Sequence, residues 1–226
     1  MIRELPGANY AITTNGAVIA NLKTNKAIRT CGLSNEMVQR ILNIAKKYHS
    51  ATDPFIDGRA ITQPSSIDHM DEFGLSPQMQ KLIRDTREVV PDVMEYVKTT
   101  GAQAEKINIF MADLEEREIL RKELMAMPEL SISSSMYNNL EVNAKGADKG
   151  SALLWLADHL GISREETMAF GDGENDIPMI KAAGIGVAME NALDTVKEAA
   201  DTITLNNDED GVAAAIRKFI FGSSEE

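Results

Sequence analysis

The last part of the chain alternates short apolar segments with amphipathic ones. Residues 149–160 have helical periodicity, and the apolar runs 167–170 and 185–188 follow, each leading into a further helical segment. Short apolar strands that alternate with helices predict an α/β fold with a parallel sheet covered on both faces. Ligands of such sheets bind at the carboxyl ends of the strands. This pattern therefore indicates where a functional site should lie.

An acidic loop follows the first of these predicted strands. Residues 170–179 read Phe-Gly-Asp-Gly-Glu-Asn-Asp-Ile-Pro-Met, which places Asp172, Asn175 and Asp176 between a buried strand and a helix. Glycines let the backbone turn sharply beside a ligand, and carboxylate and amide oxygens suit Mg²⁺. A helix cap needs only one Asp or Asn and does not explain Asp172. We therefore predict a magnesium site in this loop.

A lysine stands at the start of the preceding helix. Lys149 opens the amphipathic segment 149–160 and is followed by Gly150. Cations are unfavourable at a helix N-terminus, whereas an anion is attracted both to that end and to an ammonium group. A solvated surface lysine is the alternative. The position of Lys149 one strand before the acidic loop favours an anion-binding role.

These segments together resemble a known family, the Cof-type phosphatases of the haloacid dehalogenase (HAD) superfamily. The matching residues are Ile12-Thr13-Thr14-Asn15-Gly16-Ala17, Lys149-Gly150 with Leu153, Gly161-Ile162, Phe170 to Asp176 with Met179, Gly186 to Met189, Asn191-Ala192 and Asp208 to Val212. The resemblance covers nearly the whole chain. It implies a HAD-like doubly wound parallel sheet formed by residues 1–21 and 140–226. Residues 22–139 would form an inserted α+β cap that selects the substrate.

The resemblance also implies roles for single residues. Asp172 would ligate Mg²⁺ and Asp176 would support the metal site. Lys149 would neutralise a phosphoryl group, Asn175 would hydrogen-bond it, and Asn15 would lie near the same pocket. The implied substrate is a small phosphorylated metabolite.

One family motif is absent from the sequence. The family begins with a strand that ends in Asp-x-Asp-Gly-Thr, whose first aspartate attacks phosphorus, and this motif occurs nowhere in the 226 residues. Covalent phosphoryl transfer needs that nucleophile, so the expectation is a truncated phosphatase without a catalytic residue and without activity. The alternative is a non-catalytic remnant that binds Mg²⁺ and phosphate, or an interaction protein. Because unpaired strands would flank the missing ones, the chain would be marginally stable alone, form a homodimer through the gap, or be part of a longer protein.

Composition limits the partners and the location. The formal charge of −12, from 35 acidic and 23 basic residues, disfavours binding to nucleic acid or anionic membrane. Cys31 is the only cysteine, and residues 1–7 lack the apolar region of a signal peptide, so a cytoplasmic location is expected. His49, His69 and His159 share no metal-ligand spacing and are interpreted as structural or solvent-facing.

Overall fold

A computed structural model describes residues 7–222, which divide between Ala147 and Asp148 into two compact units. The predictions for the chain ends, including the absence of a signal peptide and the outermost residues of the predicted core, fall partly on residues 1–6 and 223–226. Those residues lie outside the described range. Within residues 7–222 no helix is long and apolar enough to cross a membrane. The assignment of residues 1–21 and 140–226 to a core and 22–139 to a cap stays a prediction.

The first unit opens with a three-stranded antiparallel sheet. It consists of β1 (Tyr10–Thr13), β2 (Val18–Asn21) and β3 (Lys26–Thr30), with β2 in the middle. Between β1 and β2 the backbone passes through the left-handed region at Thr14 (φ 48°) and Asn15 (φ 58°). Asn tolerates this conformation better than most residues, so a tight turn with Asn15 at its tip can form here.

A six-stranded sheet forms the centre of the first unit. Its strands are β4 (Ala51–Ile56), β5 (Arg59–Thr62), β6 (Glu88–Val89), β7 (Lys106–Phe110), β8 (Leu130–Ser133) and β9 (Asn139–Ala144), in the order β6-β5-β4-β7-β9-β8. All neighbours are antiparallel except β5 and β6. The helices of this unit are α1 (Asn35–Ala45), α2 (Pro64–Asp68), α3 (Pro77–Thr86), α4 (Val93–Thr100) and α5 (Leu114–Met125).

The two faces of this sheet differ in chemistry because side chains alternate along each strand. On one face Ile107, Ile109, Leu140 and Val142 are fully buried and pack with apolar residues of α1, α4 and α5. The central positions of the opposite face carry polar and charged side chains. The larger hydrophobic core of the unit therefore lies on one side of the sheet. On the other side the polar central positions are flanked by a smaller hydrophobic cluster that includes Ala51, Phe110 and Phe73.

The second unit contains a parallel sheet. Its strands are β10 (Met168–Gly171), β11 (Ile185–Ala188) and β12 (Thr202–Ile203), in that order, with the helices α6 (Lys149–Leu160), α7 (Ile177–Ala182), α8 (Asp194–Ala199) and α9 (Gly211–Ile220). Ile180 of α7 and Val196 of α8 pack with Ala188 of β11 in a small core. The predicted α/β class with a parallel sheet is confirmed.

Two segments differ from what the sequence pattern indicated. Little was predicted for residues 53–72, yet β4 and β5 form a hairpin there. Residues 78–89 have a sequence pattern that also suits a helix, but α3 ends at Thr86 because Glu88 and Val89 pair with β5 instead.

Candidate functional site

The acidic loop lies at the carboxyl end of β10, as the parallel pattern predicted. After Gly171 the chain passes through Asp172 and Gly173 into a single 3₁₀ turn, Glu174–Asp176, and then into α7. A Cβ atom at Gly171 would lie 2.3 Å from the Cβ of Asp176. Only glycine therefore lets the side chain of Asp176 fold back against the end of the strand.

Asp176 is a buried carboxylate, 6 % exposed, that organises the loop. Its Oδ2 accepts hydrogen bonds from the backbone N–H groups of Asp172 and Gly173, both at 3.0 Å. Its Oδ1 accepts one from Lys149 Nζ at 2.5 Å. Charged groups make the stronger hydrogen bonds, so Asp176 fixes the backbone of the loop and the ammonium group of Lys149 at once.

Lys149 reaches the loop because α6 begins close to α7. Asp148 caps α6 by accepting from the backbone N–H of Ser151 at 2.8 Å. At Gly150 an added Cβ would lie 2.3 Å from the carbonyl oxygen of Pro178, so a glycine is needed for this approach. Lys149 and the acidic loop therefore lie together at one end of the second unit, whereas anion binding by Lys149 stays a prediction.

Asp172, unlike Asp176, is exposed to solvent. Its Oδ2 accepts one hydrogen bond from Asn191 Nδ2, at 3.3 Å. Asn191 is held in turn, since its Oδ1 accepts the backbone N–H of Asn207 at 3.0 Å. Sequence reasoning missed Asn191 as a site residue, although it follows β11 as Asp172 follows β10, and the ends of parallel strands meet at one edge.

The loop provides as many carboxylate ligands as Mg²⁺ usually takes from a protein. Mg²⁺ binds one or two carboxylates and completes its octahedron with water and phosphate oxygens. Asp172 supplies an accessible carboxylate, while the two oxygens of Asp176 already accept three hydrogen bonds. Across residues 7–222 no group of three or more His, Cys, Asp or Glu side chains is arranged to enclose a metal ion. The loop therefore matches a site open to water and phosphate, not a closed protein cage.

The remaining two predicted residues lie in different places. Asn175 is half-buried in the 3₁₀ turn between Asp172 and Asp176. Asn15 belongs to the first unit, where its Nδ2 donates to Glu141 Oε2 at 2.8 Å and to Asn143 Oδ1 at 3.2 Å. A role for either residue in phosphate binding stays a prediction.

Comparison with known proteins identifies the family. The family of haloacid dehalogenase-like hydrolases matches residues 1–216. The chain belongs to this family. A solved haloacid dehalogenase-like hydrolase from B. subtilis superposes with a TM-score of 0.81 at 27 % identity, over 93 % of this chain and 79 % of that one. A subclass IIB sugar phosphatase of the HAD superfamily gives a TM-score of 0.75 at 27 % identity, over 93 % of this chain and 75 % of that one. These neighbours confirm the HAD-like fold with its cap domain and the predicted resemblance.

A curated relative is closer in sequence over a shorter stretch. The 5-amino-6-(5-phospho-D-ribitylamino)uracil phosphatase YcsE of Bacillus subtilis is 50 % identical over 114 residues, which are 49 % of this chain and 46 % of that protein. The chain thus matches about half the length of this relative. This relative and one of the two solved structures are named as phosphatases.

Proposed function

We propose that this HAD-family chain binds Mg²⁺ and the phosphoryl group of a small phosphorylated metabolite at the carboxyl end of β10. One observation carries the proposal: both carboxylate oxygens of Asp176 already accept hydrogen bonds, from Lys149 and from the loop backbone. Asp172, next to it, keeps an exposed carboxylate. The loop therefore offers a metal ligand and a positioned ammonium group side by side.

Each residue has a separate part in this proposal. Asp172 would hold Mg²⁺, which when bound supplies positive charge to the oxygens of a phosphoryl group. Lys149 would add a second positive charge from the start of α6, and Asp176 would keep that ammonium group in place. Asn175 would donate a hydrogen bond to the phosphoryl oxygens. The relatives support the substrate class, because one is named for a phosphorylated ribityl compound and another is a sugar phosphatase.

Hydrolysis forms a separate part of the proposal. The 226 residues contain no Asp-x-Asp-Gly-Thr, and transfer through an aspartyl phosphate needs that nucleophile. We therefore propose that this chain by itself binds its ligands without turnover. Phosphomonoester hydrolysis is proposed only for a polypeptide that also contains such a motif. The cytoplasmic location and the homodimer stay predictions.

Calorimetry on the purified 226-residue chain tests the binding step. We expect MgCl₂ to bind, and inorganic phosphate to bind only when Mg²⁺ is present. Asp172→Asn should abolish Mg²⁺ binding while leaving the circular dichroism spectrum unchanged. Asp158→Asn, at an exposed position on α6, is the matched control and should bind as the wild type does.

Turnover of p-nitrophenyl phosphate in the same samples tests the hydrolysis step. We expect none from the folded chain with Mg²⁺. Hydrolysis that Asp172→Asn removes would show that another residue attacks phosphorus and would overturn the second part of the proposal. A folded chain that binds neither Mg²⁺ nor phosphate would overturn the first part and favour an interaction role.

A further inference from the structure

A groove on the second unit lies between the strand β12 and the helix α9. Its volume is about 600 Å³, which is large enough for several side chains of a partner. β12 pairs only with β11 and forms one edge of the parallel sheet, whereas β10 forms the other edge. The groove therefore lies at the edge away from β10 and the acidic loop.

The apolar side chains that line the groove are exposed to solvent. Ile203 of β12 is 53 % exposed, and Leu205 and Phe219 on either side of the groove are also exposed. Ile220 and Phe221 follow directly at the end of α9, and Phe221 is 73 % exposed. Single exposed apolar side chains are ordinary, whereas contiguous apolar patches mark interaction sites. This patch therefore indicates a surface that a partner covers.

Two charged residues lie at opposite ends of the groove. The backbone N–H of Glu190 donates to the carbonyl oxygen of Leu205 at 3.5 Å. The helix α9 begins at the same end, since Thr204 Oγ1 donates to the carbonyl oxygen of Gly211 at 2.6 Å. Lys218 is two turns further along α9, about 10 Å away at 1.5 Å per residue. Both charged side chains line the groove and are exposed, and this separation keeps them from pairing with each other.

We propose that this groove is a docking surface for a second copy of the chain, in a twofold symmetric dimer. A twofold axis through the middle of the groove brings the Glu190 end of one copy opposite the Lys218 end of the other. Two Glu190–Lys218 ion pairs then form across the interface, and the apolar side chains between them are removed from water.

The charge pattern is the reason to choose a second copy as the partner. Equal and opposite charges at the two ends favour a surface with the same pattern reversed, and twofold symmetry supplies it. The formal charge of −12 makes two copies repel each other at long range, and the two ion pairs offset this repulsion locally. The contact uses elements that the chain contains, so it differs from the homodimer through missing strands that the sequence suggested. It is also independent of the proposed function.

Sedimentation velocity over a series of protein concentrations tests the dimer. We expect the wild-type chain to dimerise as its concentration rises. Glu190→Lys and Lys218→Glu should each weaken the dimer at least about tenfold, because each places like charges opposite one another at both ends. Glu190→Lys also changes the formal charge from −12 to −10, which reduces long-range repulsion, so its loss of dimer must come from the local contact. The matched controls Glu198→Lys on α8 and Lys181→Glu on α7, both at exposed positions, should dimerise as the wild type does.

Exchange of the charges distinguishes this contact from any other. An equimolar mixture of the Glu190→Lys and Lys218→Glu chains should restore the dimer, because both contacts again join opposite charges. A chain that carries both changes should dimerise by itself. Circular dichroism and thermal unfolding establish that each variant is folded.

Three results would overturn the inference. The first is a wild-type chain that stays monomeric throughout the series; binding of the apolar dye ANS by that monomer would favour a small apolar ligand as the occupant of the groove. The second is a dimer that both single variants leave intact, which would place the contact elsewhere on the chain. The third is a dimer that neither the mixture nor the doubly changed chain restores.

Discussion

Asp176 shows how one buried carboxylate can hold the conformation of a loop. Its two oxygens accept from two backbone N–H groups and from Lys149, and it is nearly inaccessible to water. Asp176→Asn would replace one oxygen by an NH₂ group that faces donors. Because hydrogen bonds to a charged group are each worth about 1.5–3 kcal/mol, we expect the unfolding free energy to fall by about 2 kcal/mol or more.

Urea unfolding measures this effect of Asp176→Asn. The control Asp158→Asn changes an exposed acid on α6 and should shift stability by less than about 0.5 kcal/mol. An Asp176→Asn variant as stable as this control would show that the hydrogen bonds of Asp176 add nothing to stability. The loop would then need another explanation for its shape.

The lowered pKa of Glu141 predicts that the stability of the first unit depends on pH. Burial alone would raise the pKa of Glu141, but the charge and hydrogen bond of Lys106, with hydrogen bonds from Asn15 and Ser135, lower it below its ordinary value. A carboxylate with a lowered pKa in the folded state stabilises the protein above its unfolded pKa of about 4.3. That stabilisation is lost as the pH falls through the folded pKa.

Glu141→Gln should therefore matter most at neutral pH. Removing one partner of a buried ion pair costs about 3–5 kcal/mol, so we expect a loss of that order at pH 7. The difference from wild type should shrink as the pH falls below about 4. Urea unfolding at a series of pH values measures it, with Glu115→Gln at an exposed position of α5 as the control. A difference that is constant with pH would contradict the assignment.

At the scale of elements, two glycines are required for different reasons. Gly58, in the β4–β5 turn, has a φ of 75° and open space where a Cβ would lie. A non-glycine residue in this left-handed region costs about 1–2 kcal/mol, so Gly58→Ala should destabilise by that amount. Gly58→Asn should cost less because Asn tolerates the conformation. Equal losses for the two variants in urea unfolding would argue that backbone strain is not the cause.

At Gly150 the backbone conformation suits any residue, but an added side chain would collide with a neighbouring helix. Alanine favours a helix over glycine by about 1 kcal/mol, so on an open helix face Gly150→Ala would stabilise. Its Cβ would lie 2.3 Å from the carbonyl oxygen of Pro178, and overpacking of this kind costs about 1–3 kcal/mol. We expect a net loss of stability in thermal unfolding. A stabilised variant would show that α6 and α7 can move apart freely.

The sequence predicted the elements of the second unit better than those of the first. A regular alternation of strand and helix needs only local pattern, and β10, β11 and α6 follow it. The β4–β5 hairpin was not predicted because the segment has a mixed pattern that contains Pro54, Gly58 and Pro64. Pro54 is tolerated because β5 pairs only with Phe55 and Ile56, and Asp57-Gly58 was the available turn signal.

In the candidate site, too, the features that depend on local sequence pattern were predicted and those that depend on tertiary contacts were not. Lys149 and the acidic loop fall at strand ends and helix starts, which the sequence pattern locates. The anchoring of the loop by Asp176 depends on backbone N–H groups that no side-chain pattern reveals. The pairing of Lys106 with Glu141 depends on the register between β7 and β9, and residues far apart in sequence set that register. Tertiary pairing also ended α3 early, at Thr86.

At the scale of the whole molecule, the net charge of −12 acts on each charged ligand before any contact forms. The negative field attracts Mg²⁺ and repels phosphate. Lys149 is neutralised locally by Asp176, so without a metal the loop keeps the negative charges of Asp172 and Glu174. This is the physical reason to expect that phosphate binding requires Mg²⁺.

Ionic strength separates this long-range attraction from direct ligation. Salt screens exposed charges beyond about 10 Å at 0.1 M, whereas contact between Mg²⁺ and the carboxylate of Asp172 is screened far less. Raising KCl from about 20 mM to about 300 mM should therefore weaken Mg²⁺ binding several-fold without abolishing it. Calorimetry at several salt concentrations measures this, with Asp172→Asn as the control that lacks the ligand and should show no Mg²⁺ binding at any of them. An affinity independent of salt would mean that the net charge plays no part, whereas Mg²⁺ binding that vanishes at high salt would remove the case for a ligand at Asp172.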